Sequence, residues 1–362
     1  MAEPSLPRRP LGLWWKRSVL AIGSSLFCLA ALELALRLIS PVKTFVNPLN
    51  AFHQSDPEVG WIGSPNLQAR FRKVDFDVLV RHDARGFRAR QATVQPKTNS
   101  PVIAVLGDSF TWGWGVENGS VFTDVLQNEL GPDFDVQNLG VNAYGTVQEL
   151  LLLQGRLKRG LRPRYLLLMV FQNDFYDNID ASGRRPWLAV LGTNVTLQGY
   201  PVTRQVISPA RRLLRQSVLA CSLAYAADFW KEKRHVARLE QSAFPEGHLS
   251  DIAKRAMAFA LAQLRQTCAR QETRLFVVYV PGPADVRSPA PVDARSVLQA
   301  LCQQESLTFV DLTPGFCRAG NEALARYFYP HDEHWTAAGH ALAGRELAAL
   351  LQTEIAKPEP RP

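Results

Sequence analysis

The sequence is poor in the groups that hold metals or clusters. Only five cysteines occur in 362 residues, and no two have metal-ligand spacing such as Cys-x-x-Cys, which leaves out the zinc-ribbon classes. Helix-turn-helix, zinc-finger and RNA-binding signatures are also missing, so the formal net charge of +8 has no nucleic-acid motif beside it and no nucleic-acid partner is expected. No internal repeat is visible, which removes solenoids and propellers. The composition, 46% hydrophobic and 20% charged, is that of a globular chain long enough to bury a substantial core, not of a disordered one.

The excess basic charge gathers at the N-terminus (Arg8, Arg9, Lys16, Arg17) and in "RFRKVDF" and "RHDARGFRARQ". It reads either as solvated loops plus a topogenic tail or as a face for anionic polymers or lipid headgroups. The one long apolar run, "SVLAIGSSLFCLAALELALRLI" from Ser18 to Ile39, has membrane-spanning length. Its charges, Glu33 and Arg37, lie one helical turn apart near its end, where they can pair or snorkel. Four basic residues precede the run, so the charge bias puts residues 1–17 in the cytoplasm and the rest across the membrane. A cleaved signal peptide is the rival reading, against which stand the length of the run and the Ser40-Pro41 junction, since Pro at +1 blocks processing. Residues 18–39 are therefore read as a single-pass signal-anchor. In an oxidising compartment Cys221, Cys268, Cys302 and Cys317 allow three full pairings. A Cys302–Cys317 bridge and buried free thiols both remain open.

Beyond the anchor, residues 40–100 are Pro- and Gly-punctuated with short alternating stretches such as "VDFDVLV", which suggests a small β-rich collar. From 101 to 356 the rhythm changes. "PVIAVLGD", "FDVQNLG", "RPRYLLLMVFQND", "RLFVVYVPG" and "TFVDLT" read as strands. "SVFTDVLQNEL", "TVQELLLLQGRLKRG", "SDIAKRAMAFALAQLRQTCARQ", "DARSVLQALCQQ" and "TAAGHALAGRELAALLQTEI" read as helices. Apolar strands alternating with amphipathic helices predict a parallel sheet covered on both faces, an α/β fold with its reactive residues at the C-terminal strand ends. Residues 180–250 interrupt the alternation. They are expected to form a helical insertion, packed on the domain or serving as a lid or membrane-facing element. The tail "KPEPRP" reads as a disordered end.

Ser109 follows the first of these strands directly. Alone it is a candidate N-cap as much as a nucleophile. Asn173, in "FQNDFYDN", ends the third strand and could aim an amide at a developing oxyanion, or could simply make a turn. "NLGVNAYGT" after the second strand is a small-residue loop whose N–H groups can approach a substrate. Asp332 and His334, in "YPHDEHWTAAGH", stand two apart, so in extended backbone they project to one side and the carboxylate can hold one imidazole nitrogen. Capping and packing roles are the alternatives. His331, Asp332 and His334 lack a second ligand cluster, so no metal site and no cofactor are expected.

Taken together, "GDSFTWGWGV", "NLGVNAYGT", "FQNDFYDN" and "DEHWTAAGH" resemble, in order, the four blocks of the SGNH (GDSL-type) hydrolase superfamily over about residues 101 to 352. The sequence is most similar to a membrane-anchored branch that resembles periplasmic polysaccharide O-acetyltransferases and esterases. The resemblance implies a flavodoxin-like three-layer α/β/α fold with Ser109 as nucleophile, His334 as base and Asp332 as its orienting acid. It also implies an oxyanion hole made of the Ser109 N–H, the Ala143 N–H and the Asn173 amide. A substrate pocket is expected near Asp108, Trp112, Gly140, Gly145 and Trp335, with Gly107 allowing a sharp turn and Phe110 packing the elbow.

Two positions depart from the family pattern. The common last block has Asp three residues before His, where this chain has His331. Ala143 stands where the oxyanion glycine is usual, with Gly140 and Gly145 flanking it, and its N–H serves only if the loop does not require a positive φ. The expected function is a serine acyl-ester hydrolase or O-acetyltransferase acting through an acyl-enzyme on an acylated glycan or other small ester, with polysaccharide-export machinery as a partner by analogy. The alternatives are a catalytically weak glycan-binding or assembly protein, and a lipase or thioesterase with residues 180–250 as an apolar lid.

Overall fold

The structure, a computed structural model, describes residues 11–40, 42–47, 51–204, 208–239, 249–287 and 293–355. Arg8, Arg9, Pro41 and the "KPEPRP" tail lie outside the described residues.

Helix α1 (Leu11–Ile39) begins before the expected span and is exposed from Trp14 to Leu32. Its stretch Trp14–Ile39 is long and apolar enough to cross a membrane. Five short strands follow: β1 (Thr44–Phe45), β2 (His53–Asp56), β3 (Gly60–Gly63), β4 (Gln68–Arg72) and β5 (Asp77–Arg81). They pair into a β1-β4-β5 sheet and a β2-β3 hairpin.

The main sheet is built from β6 (Val102–Leu106), β7 (Asp135–Asn138), β8 (Pro163–Val170), β11 (Arg274–Tyr279) and β12 (Thr308–Asp311), all parallel, in the order β12-β11-β8-β6-β7. Counting only these strands the order is 2-1-3-4-5, the flavodoxin-like winding, so the topological switch point lies between β6 and β8. Side chains alternate across the sheet: Ala104, Leu106, Leu166 and Leu168 enter one core layer, and Ile103, Val105, Leu167 and Met169 enter the other. This explains why the strands read as unbroken apolar runs, since both faces are buried.

The helices that cover the sheet fall where the periodicity put them. They are α3 (Phe122–Leu130), α4 (Thr146–Lys158), α8 (Asp251–Ala269), α9 (Asp293–Gln304) and α10 (Ala337–Ile355), while the two-turn-or-shorter α2 (Ser109–Trp112) and α5 (Asp174–Asp177) follow β6 and β8. The α/β/α SGNH fold is thus present, with the core on both sides of the sheet.

Between β8 and α8 the chain is not wholly helical as the sequence suggested. It first makes an antiparallel hairpin of β9 (Trp187–Leu191) and β10 (Asn194–Gln198). The apolar alternation in "WLAV" was hidden between Pro186 and Gly192, which are turn residues. Then come α6 (Pro209–Leu214) and α7 (Val218–Leu239). The Glu33 carboxylate on α1 accepts from the Ser217 hydroxyl at 2.7 Å and from the N–H groups of Val218 and Leu219 at 2.9 Å each. Arg37 donates to Glu33 at 2.7 Å and to the Gln216 carbonyl at 3.0 Å. The pair foreseen on one helix face therefore caps the N-terminus of another helix.

All five cysteines are free thiols. Cys302 is buried and Cys317 exposed, so the suggested bridge between them is absent. Burial pushes the Cys268 and Cys302 thiols up to about 12, which leaves them inert packing groups.

Candidate active site

The turn from β6 into α2 has no room for a side chain: a Cβ at Gly107 would lie 2.1 Å from the Thr111 hydroxyl. Asp108, not Ser109, is the helix cap, accepting from the Phe110 N–H at 2.9 Å. Ser109 is thereby released as the first helical residue, with its hydroxyl at the C-terminal edge of the sheet and its N–H among the orphan donors of a helix start.

Ser109 Oγ lies 2.6 Å from His334 Nε2. His334 Nδ1 is hydrogen-bonded to Asp332 Oδ1, and the same oxygen accepts the His334 N–H at 3.1 Å. The expected i, i+2 pair thus faces Ser109 across 225 residues of chain. The other carboxylate oxygen accepts from Trp114 Nε1 at 3.0 Å and from Lys73 Nζ at 3.3 Å. Burial opposes ionisation of Asp332, but the charge and hydrogen bonds of His334, with Lys73, outweigh it and hold the carboxyl well below the usual range. Burial likewise opposes protonation of His334. The Asp332 charge and hydrogen bond, with Glu333 and Asp108, prevail and raise its pKa. An imidazole poised in this way can take a hydroxyl proton and keep it.

Two aromatic faces hold that imidazole. Trp114 stacks on it at 4.6 Å and 15°, and Phe110 packs against it at 4.6 Å. Trp114 was not singled out from the sequence. Trp112, two residues earlier on the same elbow, took its place, and the structure puts Trp112 elsewhere. It is buried among Phe52, Phe71 and Phe76 on the β4–β5 side. There its Nε1 donates to His82 Nε2 at 3.0 Å. Burial holds His82 neutral, with a pKa lowered to about 3, which fits its role as acceptor. Trp335 is also core, donating to the Pro281 carbonyl at 3.0 Å. Gly140 and Gly145 are close-approach positions off the cavity wall. A Cβ would meet Trp112 N at 2.5 Å in the first case and Asp177 Cβ at 2.8 Å in the second. Asp108 is buried beneath the site, and burial raises its carboxyl to about 6.

Ala143, in the loop after β7, has φ +58°. The loop does require the left-handed region, and an alanine occupies it at a cost of about 1–2 kcal/mol relative to an unstrained backbone. Asn173, at the end of β8, donates its amide to Asp177 at 3.0 Å. Ser109, Ala143 and Asn173 line one cavity with His334 and Trp114, so the ends of β6, β7 and β8 converge at the switch point. Among the described residues, the Ser109 and Ala143 N–H groups donate to no other protein group. His331, where the common pattern has Asp, is turned away to Asp75 at 2.7 Å.

The cavity measures about 830 Å³. Its far walls come from outside the main sheet: Phe45 and Lys73 from the β1–β5 region, and Tyr225, Asp228 and Glu232 from α7. Lys73 joins them, pairing with Glu232 at 3.1 Å as well as with Asp332. Below the site, Glu149 and Asp174 are buried carboxyls, both pushed well up first by burial; the charges of Asp108 and Asp177 then raise Glu149, and those of Glu149, Asp108 and Asp177 raise Asp174. Neither Glu149 oxygen has a hydrogen-bond partner among the described residues.

On this α/β SGNH fold a serine at the first strand end is hydrogen-bonded to a histidine, which is in turn hydrogen-bonded to an aspartate. The chain belongs to the GDSL-like lipase/acylhydrolase family, whose model matches residues 105–342. No curated protein matches the chain. Among solved structures it is similar to TesA (14% identity, TM-score 0.41, covering 70% of this chain and 98% of that one). It is also similar to the aryl esterase of M. smegmatis (16%, TM-score 0.37, 70% and 99%). A third is Est24, a carbohydrate acetylesterase from Sinorhizobium meliloti (13%, TM-score 0.38, 70% and 99%).

Proposed function

We propose that the protein is a serine esterase or O-acetyltransferase whose nucleophile is Ser109. The observation that carries this reading is the unbroken line from Ser109 Oγ through the His334 ring to Asp332. Nε2 of His334 takes the hydroxyl proton as Oγ attacks the ester carbonyl carbon. The tetrahedral oxyanion is met by the N–H groups of Ser109 and Ala143 and by the Asn173 amide. The C–O bond to the leaving alcohol breaks, and His334 returns the proton to that alcohol, leaving Ser109 acylated. Water or a sugar hydroxyl then gives its proton to His334 and attacks the acyl carbon, and as the acyl bond to Ser109 Oγ breaks His334 returns that proton to Oγ. Asp332 stays ionised throughout and fixes the imidazole tautomer.

The cavity supports a glycan over a lipid chain as the ester's larger part. It is far larger than an acetyl group needs, and Lys73, Arg215, Asp228, Lys231 and Glu232 line it with hydrogen-bonding groups suited to hydroxyls. The apolar N-terminal helix, preceded by basic residues, supports a single-pass anchor in the inner membrane with the enzyme on the periplasmic side. In that position residues 40–100 act as a collar between the anchor and the hydrolase domain of 101–356. An envelope or exported polysaccharide is the substrate placed within reach, and export machinery the natural neighbour.

The test is fluorophosphonate labelling of the full chain. Wild type labels, while Ser109→Ala and His334→Ala do not. Full p-nitrophenyl acetate turnover by Ser109→Ala would overturn the mechanism. Adding an oligosaccharide acceptor and following acetyl transfer against acetate release then separates transferase from esterase.

A further inference from the structure

Helix α7 has two unlike faces. Tyr225, Asp228 and Glu232 turn inward and line the cavity. The opposite face carries Leu223 and Trp230, 65% and 58% exposed, and Leu213 at the end of α6 is 69% exposed. Leu223 and Trp230 are seven residues apart, two turns along one stripe. Lys233 and Arg234 are exposed around that stripe, and the Arg234 guanidinium lies over the Trp230 ring at 3.3 Å. An outward stripe of leucine and tryptophan flanked by Lys and Arg is the composition of a helix lying in a bilayer interface.

What covers this face follows from the Glu33 contacts. A carboxylate held by three donors from the start of α7 cannot sit in hydrocarbon, so the lipid boundary on α1 falls on the N-terminal side of Glu33. The first turn of α7 is bonded to α1 at that level. From Leu11 to Leu32 the helix carries no acidic residue, and its apolar side chains from Trp14 to Leu32 are exposed.

We infer that α6 and α7 lie on the surface of the same bilayer that holds α1, with Leu213, Leu223 and Trp230 seated among the lipids and the basic side chains at anionic headgroups. The inference rests on the reading of α1 as an anchor. The roof of the active-site cavity is then a membrane-seated helix, and the substrate enters along the bilayer surface.

The experiment uses the full chain in vesicles of phosphatidylethanolamine and phosphatidylglycerol, with and without brominated acyl chains, and compares wild type with Trp230→Phe. Trp14 and Trp15 report on α1 and Trp230 on α7. The bromine-quenched part of the tryptophan emission should fall by about one third in the variant, Trp230 being one of three lipid-contacting tryptophans. Turnover of p-nitrophenyl acetate should be unchanged, because Trp230 does not line the cavity. Equal quenching in both proteins would overturn the inference and leave the anchor standing. No bromine quenching in either protein would remove the anchor and this inference with it.

Discussion

Lys73 and Asp332 stand 259 residues apart in the chain and 3.3 Å apart in the folded molecule. The ammonium shares the carboxylate oxygen that His334 does not use, and it reaches Glu232 on α7 with the same three protons. Burial opposes the Lys73 charge, but Asp332 and Glu232 outweigh it and raise its pKa. It therefore stays a cation across the working pH range, and part of the Asp332 charge that would favour the imidazolium is spent on it.

Removing that cation should raise the His334 pKa. On the proposed mechanism activity needs neutral His334, so the acid limb of kcat/KM should move to higher pH in Lys73→Met, by about 0.5–1 unit. Lys73→Arg should restore most of it. A pH–rate profile on p-nitrophenyl acetate reads the shift, and identical limbs in wild type and Lys73→Met would contradict it.

Asn173→Ala should lower kcat about 10²–10³-fold while fluorophosphonate still labels Ser109, because on the proposed mechanism one oxyanion donor is lost and the nucleophile with its base is kept. Loss of labelling would instead assign Asn173 to holding the elbow.

Ala143→Gly should relieve the left-handed strain. The gain is reduced by the greater freedom of glycine in the unfolded chain, leaving up to about 1 kcal/mol. Urea unfolding measures it, with esterase activity retained. Destabilisation would mean that the alanine methyl contributes more packing than its backbone costs.

Glu149 gives a stability prediction with a definite sign. Its carboxyl, raised first by burial, is protonated in the fold and ionised in the unfolded chain above its ordinary pKa. Its contribution is therefore whole below about pH 4.5 and is lost as pH rises, at up to about 1.4 kcal/mol per unit. Glu149→Gln should be more stable than wild type at pH 8, and the difference should shrink on going to pH 5. Parallel stability curves would show that the carboxyl ionises in the fold as it does outside.

Much of this was legible in the sequence because a parallel sheet writes itself in unbroken apolar runs and its active residues sit where the runs stop. Ser109 and Asn173 stand just past such ends, whereas the Asp332/His334 pair lies well beyond β12, in the loop before α10, and was legible only from its i, i+2 spacing. What was not legible depends on side-chain direction or on chain-distant partners. Trp112 and Trp114 are alike on paper, and only the short helix after Ser109 turns one into the aromatic core and the other onto His334. Lys73 looked like one basic residue among many in "RFRKVDF". Glu149 looked like an ordinary polar residue in the first turn of a helix. Nothing local shows that it is buried, since that depends on the packing of α4 against the site. The hairpin at β9–β10 was missed because its short alternation precedes a much longer helical pattern.

The order of the parts along the chain has a consequence for biosynthesis. Ser109 leaves the first strand of the sheet and His334 comes just before the last helix. A ribosome must therefore add 225 residues after Ser109 before the hydroxyl can meet the imidazole. A nascent or prematurely ended chain carries a serine with no imidazole beside it, and so, on the proposed mechanism, cannot cut esters before the fold is complete.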